Sequence, residues 1–223
     1  GSGRLGAKVF RMTDVREWRE VARQANREGK TIHMGRVFGI MVEKHWEDPE
    51  KRKMKYRCVF QGNNVHTQNY EMALFQEKGA SPVSTEGGRA IIAYGLLEDN
   101  VAMAADAIKA YIQAPMTGTE TWVMLPPEAW PESWYDKNGH PIYQNPVVRM
   151  DRALYGHPDA GTKWEEKCDE DLQNAGFAPI EGWPSCYFHE DLGLALSVYV
   201  DDFVLTGPKG AMSKGWKLIK QNI

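Results

Sequence analysis

The chain has 223 residues, 42% of them hydrophobic, and a formal net charge of −3. This length and composition fit one domain or two closely joined subdomains with a substantial core. The net charge is slightly negative, which excludes nucleic-acid binding through an overall positive charge. Any contact with nucleic acid must therefore use local basic patches. No stretch approaches the roughly 18 apolar residues of a membrane span.

The three cysteines are odd in number, far apart and outside any C-x-x-C pair. This pattern predicts reduced thiols in an intracellular setting and argues against a structural zinc site. The opening Gly1-Ser2-Gly3 has the composition of a cloning scar, and we expect it to lie outside the fold.

The first predicted element is an amphipathic helix over residues 14–28. Asp14 and Glu17 have the spacing of a capping box, and Gly29 stands where a C-cap belongs. The apolar side chains at helical spacing predict one buried face and a packing role. That face consists of Trp18, Val21, Ala22 and Ala25.

A predicted β-hairpin follows, with strands at 36–42 and 53–60 and a turn at 47–50. The second strand alternates apolar side chains with cations, so its two faces differ. Two interpretations of this basic arm are open. It is either a solvated edge strand whose charges discourage aggregation, or a clamp in which Lys55 and Arg57 bind phosphate oxygens.

The middle of the chain predicts a loop over 62–82, a helix over 86–98 and a short buried strand over 101–105 that ends at Asp106. An Asp at the end of a buried strand acts either as a cap or as a cation ligand. The later segments predict a strand with long loops over 115–146, a strand and turn over 147–157, a helix over 159–175, and a last helix from 211.

Asp201 and Asp202 lie between two apolar arms rich in β-branched residues, within 194–207. The arms predict two buried strands, and the acids predict a tight turn. Adjacent carboxylates repel each other, which favours a cation site. A solvated Asp-Asp turn is the other interpretation, because Asp is a common turn residue.

Four segments occur in the order that is typical of one family. They read KYRCVFQG at 55–62, DAIKAYIQA at 106–114, LYGHPDAGTKW at 154–164 and YVDD at 199–202. Through them the chain from about residue 14 to residue 223 resembles the reverse transcriptase of copia-type (Pseudoviridae) LTR retrotransposons. A single YVDD is a weak signal, whereas four ordered motifs are a specific one.

The resemblance implies an α+β fold of fingers and palm with the thumb absent, in which helices back an antiparallel palm sheet. Residues 4–100 are then mainly fingers with the start of the palm. Residues 101–223 are mainly palm with an interleaved fingers segment.

The resemblance also implies an RNA-dependent and DNA-dependent DNA polymerase that uses two-metal-ion nucleotidyl transfer. Two Mg²⁺ ions, replaceable by Mn²⁺, are expected at Asp106, Asp201 and Asp202, with the first two acids bridging both ions. Tyr111 is expected as the aromatic gate that excludes a 2′-hydroxyl. Without the motif it would be a core aromatic. The expected nucleotide contacts are Lys55, Arg57, Ala107, Tyr111 and Asp159, and the expected primer-template contacts are Tyr199 and Val200.

The chain departs from the family pattern near the nucleotide. Asp159 stands where the family has a Gln that contacts the nucleotide, and Pro158 stands where the family has a Lys. A carboxylate near a triphosphate repels it unless the carboxylate points away or binds a cation. The second Arg of the family's basic segment is also missing, so the clamp would depend on Lys55 and Arg57.

The expected partners are an RNA template, a DNA primer, deoxynucleoside triphosphates and the missing remainder of a polyprotein, with its RNase H and integrase. No membrane is expected, a homo-oligomer is left open, and the expected location is a cytoplasmic virus-like particle or the nucleus. The alternative is a catalytically weak or inactive nucleic-acid-binding scaffold, which Asp159 favours and the three acids oppose. A metal-dependent nuclease or cyclase is a third candidate, which the basic hairpin and Tyr111 oppose.

Overall fold

The computed structural model describes residues 9–75 and 81–223. They form two compact units, the described parts of Gly1–Gln76 with Pro115–Ala160, and of Glu77–Ala114 with Gly161–Ile223. We call these the first and the second unit. The predicted cloning scar at residues 1–3 lies outside the described residues. The predicted division into fingers and palm near residue 100 stays a prediction.

Five helices and eleven strands make a mixed α/β fold in the described part of the chain. In chain order they are β1 (Phe10–Glu17), α1 (Trp18–Glu28), β2 (His33–Lys44), β3 (Lys53–Phe60), β4 (His66–Thr67), α2 (Thr85–Tyr94), β5 (Asn100–Asp106), α3 (Ala110–Gln113), β6 (Thr121–Met124), β7 (Pro146–Met150), α4 (Ala160–Asn174), β8 (Ala178–Pro179), β9 (Cys186–His189), β10 (Leu194–Tyr199), β11 (Asp202–Pro208) and α5 (Met212–Asn222).

The first unit is built on a sheet with the strand order β1-β7-β6-β2-β3, and β4 also pairs with β2. Strands β2 and β6 run parallel, whereas β2 and β3 form the predicted antiparallel hairpin. Helix α1 buries its apolar face against this sheet. The cluster comprises Trp18, Val21, Ala22, Ala25, Ile32, Met34, Trp122 and Val147.

The predicted capping box of α1 is wrong. The helix begins at Trp18, and Asp14 lies within β1. The Glu17 carboxylate accepts the backbone N–H groups of Gln144 and Asn145, at 2.6 and 3.0 Å, and makes no cap hydrogen bond to the helix. The acid that the local pattern assigned to the helix cap is therefore hydrogen-bonded to a loop that is distant in sequence. The predicted C-cap is confirmed, because Gly29 has a left-handed φ of 62°.

The second unit is built on an antiparallel sheet with the order β5-β11-β10-β9-β8. Helix α2 packs on it through a cluster of Ile91, Cys186 and Ala195. The Ser84 hydroxyl caps this helix by accepting the Gly87 N–H at 3.0 Å.

Helix α2 is shorter than the predicted 86–98, since it ends at Tyr94 and leaves Leu96 81% exposed. A Cβ on Gly95 would lie 3.1 Å from the side chains of Ala102 and Thr206, so the chain turns there close to the sheet. Apolar residues beyond this turn do not continue the buried face.

Helix α4 confirms its prediction within one residue at each end, and Gly176 follows it with a φ of 89°. The predicted buried face is also confirmed, with Trp164, Cys168, Leu172 and Ala175 buried. In contrast, β5 is a strand as predicted but it is not buried. It is the edge strand of its sheet, and Ala102, Met103 and Ala104 are exposed.

The cysteines Cys58, Cys168 and Cys186 are free thiols, as predicted. In the two described stretches, every helix is too short or too polar to cross a bilayer.

Candidate active site

The acids of the YVDD segment lie on a two-residue hairpin turn. Tyr199 pairs with Asp202 across β10 and β11, so Val200 and Asp201 are the two central residues. Val200 has a φ of 58°, whereas Asp201 does not have a positive φ. This is the pattern of a type II′ turn, whose first position usually holds Gly. A β-branched residue there costs on the order of 1–2 kcal/mol, so its surroundings must hold the turn.

Two hydrogen bonds hold the main chain of this turn. The buried Trp164 side chain of α4 donates its indole N–H to the Val200 carbonyl at 2.7 Å. The Ala107 backbone N–H donates to the Asp201 carbonyl at 2.6 Å. Both central carbonyls therefore have a donor, and the main chain that carries the acids is fixed. The Ala107 amide, an expected nucleotide contact, is used within the protein.

The third predicted acid lies directly opposite the turn. Asp106, the last residue of β5, is the cross-strand partner of Asp202, the first residue of β11. Directly opposite residues project from the same face of a sheet. The pKa of Asp202 is raised by partial desolvation, by the charge of Asp201, and by a side-chain hydrogen bond to Asp106. The fold thus brings all three predicted acids to one end of the second sheet.

The three carboxylates do not form a closed set of ligands. Among residues 9–75 and 81–223, no three His, Cys, Asp or Glu side chains converge closely enough to hold a metal ion. The donor chemistry nevertheless fits Mg²⁺, which prefers carboxylate oxygens. The pKa of Asp202 is raised first by desolvation and then by the charges of Asp201 and Asp106, and a bound cation would relieve the repulsion among these acids.

Tyr111 lies near the same turn. It is a half-buried residue of the short helix α3. Together with Trp164, Val198 and Val200 it lines a cavity of about 180 Å³ in the second unit. The structure therefore places the predicted gate residue and the turn around one space. Tyr199, a predicted primer-template contact, is 55% exposed.

Lys55, Arg57 and Asp159 belong to the first unit. Lys55 pairs with Val42 and Arg57 with Ile40, so both cations project from one face of the β2–β3 hairpin. This hairpin is at the edge of its sheet and is exposed towards its tip. Both interpretations of the basic arm, a solvated edge strand and a phosphate clamp, fit this position.

Asp159 lies beside a pair of buried histidines that the sequence analysis did not single out. Its backbone N–H donates to Nδ1 of His157 at 3.1 Å, and its charge opposes the effect of burial on the pKa of His33. Burial and the neighbouring His33 lower the pKa of His157 to about 4. The ring of His157 packs against Phe60 and Phe75, with centroid distances of 4.8 and 5.5 Å.

The sequence analysis also placed Trp164 only on the buried face of its helix and did not connect it to the turn. The available signal was its indole N–H, because a buried indole N–H usually donates to an acceptor. The motif does not reveal which carbonyl that acceptor is, since the two residues are 36 positions apart.

A comparison with protein families agrees with these observations. A family described as "Reverse transcriptase (RNA-dependent DNA polymerase)" matches residues 18–222, which include both units and all three acids. The match covers nearly the whole sequence. The chain therefore belongs to the reverse transcriptase (RNA-dependent DNA polymerase) family.

Proposed function

We propose that this chain is the reverse transcriptase domain of a copia-type LTR retrotransposon polyprotein. In this proposal it joins deoxynucleotides to a DNA primer on an RNA or DNA template. The observation that supports it most is the pairing of Asp106 with Asp202 beside the fixed Val200-Asp201 turn. The first unit corresponds to the fingers and the second to the palm. RNase H and integrase would be other parts of the same polyprotein.

The reaction joins the primer 3′-hydroxyl to the α-phosphate of the incoming nucleotide, and pyrophosphate leaves. The protein positions the reactants and neutralises charge. Asp106, Asp201 and Asp202 would hold two Mg²⁺ or Mn²⁺ ions, which when bound lower the pKa of the attacking hydroxyl and stabilise the leaving pyrophosphate. The hydrogen bonds from Trp164 and Ala107 keep the two adjacent acids in a fixed register for this task.

The remaining residues bind and select the nucleotide. Lys55 and Arg57 bind triphosphate oxygens from the basic hairpin, Lys as a point charge and Arg as a bidentate donor. Tyr111 excludes ribonucleotides by occupying the space of a 2′-hydroxyl. The charge of Asp159 opposes the lowering of the His33 pKa by burial within the first unit. This gives the charge a role other than contact with the triphosphate.

Primer extension on an RNA template with Mg²⁺ tests this proposal. We expect incorporation by the wild-type chain and its loss in Asp201→Asn. Asp191→Asn is the matched control, because Asp191 is an exposed acid on a 3₁₀ turn of the same unit. Equal activity in wild type and Asp201→Asn would contradict the proposal, as would the absence of incorporation by the wild type.

One observation favours the alternative of a catalytically weak nucleic-acid-binding scaffold. The three acids do not converge into a ligand set in the described residues. A scaffold would bind an RNA–DNA hybrid equally well with and without Mg²⁺ and would extend no primer. In the polymerase, by contrast, Mg²⁺ should support extension in the wild type and fail to do so in Asp201→Asn.

A further inference from the structure

An open groove of about 520 Å³ lies in the second unit, between helix α4 and the loop that joins β8 to β9. Its volume falls within the range of ligand-binding clefts, which is roughly 300–1,000 Å³. The three acids, Tyr111 and the Val200-Asp201 turn are outside its lining. The groove is therefore separate from the candidate active site, and the proposed function gives it no role.

Hydrogen bonds fix both walls of this groove. The loop wall is closed on itself, because the Ile180 backbone N–H donates to the Cys186 carbonyl at 2.8 Å. Ser81 connects the loop wall to the helix wall. Its backbone N–H donates to the Glu165 carboxylate at 2.9 and 3.1 Å, and its carbonyl accepts the Ser185 hydroxyl at 2.8 Å. A ligand would therefore meet a site that is already formed, which lowers the entropic cost of binding.

The helix wall is negatively charged. Glu165, Glu166 and Asp169 line it, and the described residues around the groove include no Lys, Arg or His. Helix α4 as a whole carries five acids and two lysines, which leaves a net charge of −3. Burial raises the pKa of Tyr187, and the charges of Asp169 and Glu165 raise it further, as expected beside a wall of negative potential.

The carboxylates have partners within the protein, yet they keep acceptor sites for a ligand. Glu166 accepts the Lys163 ammonium at 2.9 Å. Asp169 accepts the Gln173 side-chain amide at 2.7 Å and is hydrogen-bonded to the Tyr187 phenol. Each ionised carboxylate has about four acceptor sites, so these contacts do not saturate either acid. The wall favours a cation over an anion or a neutral molecule.

The loop wall presents an aromatic ring between apolar neighbours. Trp183 is 39% exposed, and it lies beside Pro184 and close to Ile180 and Pro179. Trp offers the most favourable ring face for a cation. A guanidinium suits both walls, because its plane stacks on an aromatic ring while its N–H fork binds carboxylates. The apolar neighbours match the methylene stem of such a side chain.

We infer that this groove binds an arginine side chain presented by a segment of a partner protein. The guanidinium lies on the ring of Trp183 and donates to Glu166 and Asp169, and its methylene stem packs against Ile180. A peptide segment fits better than free arginine, because the α-carboxylate of the free amino acid is repelled by the acidic wall. The binding does not depend on the proposed polymerase function.

The peptide acetyl-Ala-Arg-Ala-amide tests the binding, with the indole N–H signal of Trp183 followed by NMR. We expect saturable binding with a Kd on the order of 0.1–1 mM. The same peptide with citrulline in place of arginine has nearly the same shape without the charge, and should bind about tenfold more weakly. The lysine peptide and free arginine should each bind about threefold more weakly. Equal affinity for the arginine peptide and any one of these three probes would overturn the inference.

Two variants test the location of the site. Trp183→Leu removes the ring and should weaken binding by about fivefold, whereas Trp46→Leu, at a side chain 69% exposed in the first unit, should leave the affinity unchanged. Glu166→Gln should weaken binding by about threefold. Its matched control is Glu170→Gln, because Glu170 is an exposed acid of the same helix outside the lining. Wild-type affinity in either Trp183→Leu or Glu166→Gln would contradict the inference, and each variant decides it if the other fails to fold.

The ionic strength tests the chemistry of the contact. Raising NaCl from about 0.05 to 0.5 M should weaken binding of the arginine peptide by about threefold or more, because exposed charges are screened. Mg²⁺ at the same ionic strength should displace the peptide no better than NaCl. Stronger displacement by Mg²⁺ would identify a site for inorganic cations and overturn the inference. If the wild type extends no primer, the proposed function fails while these binding measurements still decide the inference.

Discussion

Each unit has one hairpin that carries charged residues named in the proposal, and the two hairpins are built in opposite ways. The β2–β3 hairpin of the first unit is long and basic, and both of its strands are exposed from the Ile40–Arg57 pair to the strand ends at Lys44 and Lys53. The β10–β11 hairpin of the second unit has a two-residue acidic turn between strands that are largely buried. Its turn is held at both central carbonyls by Trp164 and Ala107.

This difference matches the demands of the two tasks. Ligands of a metal ion must be held within fractions of an ångström, which requires a fixed main chain. Cations that bind a triphosphate have long side chains and adapt to a ligand that enters and leaves. In the proposed function, the acidic hairpin of the second unit would be a rigid carrier of metal ligands, and the basic hairpin of the first unit would be an adaptable carrier of phosphate-binding cations.

Removing one carboxylate from the acidic hairpin should produce the largest effect. Asp106→Asn eliminates the partner of Asp202, and we expect incorporation to fall by about 1000-fold, or about 4 kcal/mol in the activation free energy. Single-turnover primer extension measures this loss. The melting temperature should not fall, because the substitution removes a like charge near Asp202. A loss of activity accompanied by unfolding would not support a role in metal binding.

The next largest expected effect is a pH dependence of stability, which arises at the base of the basic hairpin. The His157 ring packs against Phe60 at the end of β3, and its pKa is lowered from 6.5 to about 4 in the folded state. The unfolded chain binds the proton more tightly, so this contribution to stability is complete above pH 6.5 and is lost as the pH falls towards 4. The loss should be on the order of 2–3 kcal/mol.

Urea unfolding at pH 7.5, 6 and 5 measures this dependence. His157→Gln removes the titrating ring and should flatten the decline between pH 6.5 and 4. His140→Gln is the control, because His140 lies exposed beside Asp136, and the slope should stay as in the wild type. An unchanged slope in His157→Gln would assign the acid sensitivity to other groups.

The cations of the basic hairpin should affect substrate affinity more than turnover. The Lys55→Ala, Arg57→Ala double variant should raise the KM for deoxynucleotides by about 10- to 30-fold and change kcat little, because binding of the triphosphate is lost. Steady-state kinetics measure both constants. Lys51→Ala is the control, since Lys51 forms an ion pair with Asp48 at 2.8 Å. A fall in kcat alone would place the two cations in the chemical step.

Loosening the rigid turn should have a smaller effect, and it should change kcat rather than KM. Trp164→Phe keeps a buried ring but removes the hydrogen bond to the Val200 carbonyl. We expect a loss of about 1 kcal/mol in unfolding free energy and a fall of about 5- to 10-fold in kcat with little change in KM. Trp46→Phe is the control on the basic hairpin, because that side chain is 69% exposed. A change confined to KM would show that Trp164 does not position the acids.

Local patterns predicted much of the fold. The buried faces of α1 and α4, the β2–β3 hairpin and the β10–β11 hairpin follow from side-chain periodicity, which neighbouring residues alone determine. The predictions that failed depend on distant segments. Glu17 is taken up by the backbone of Gln144 and Asn145, and Gly95 turns the chain where it meets Thr206.

The site shows the same contrast between features set by local patterns and features that depend on distant segments. The motifs predicted Asp106, Asp201 and Asp202, and the sheet register brings Asp106 opposite Asp202. The donor to the turn and the buried histidine pair did not follow from the motifs, because each depends on packing between segments far apart in sequence. Whether the carboxylates converge depends on side-chain rotation, which no sequence pattern determines.

The smallest expected effect is the response of the folded protein to a divalent cation. The folded pKa of Asp202 lies above its ordinary value of 3.8, so the folded state binds this proton more tightly than the unfolded chain. Its contribution to stability therefore falls as the pH rises through that window, and at pH 7.5 the repulsion among the three acids is fully present. Mg²⁺ relieves that repulsion and should raise the melting temperature by about 1–2 °C.

Asp202→Asn should raise the melting temperature by a similar amount without Mg²⁺ and respond less to the ion, whereas Asp191→Asn should behave as the wild type. An equal Mg²⁺ response in Asp202→Asn and wild type would place the ion elsewhere. It would contradict the proposal that the rigid hairpin holds metal ligands.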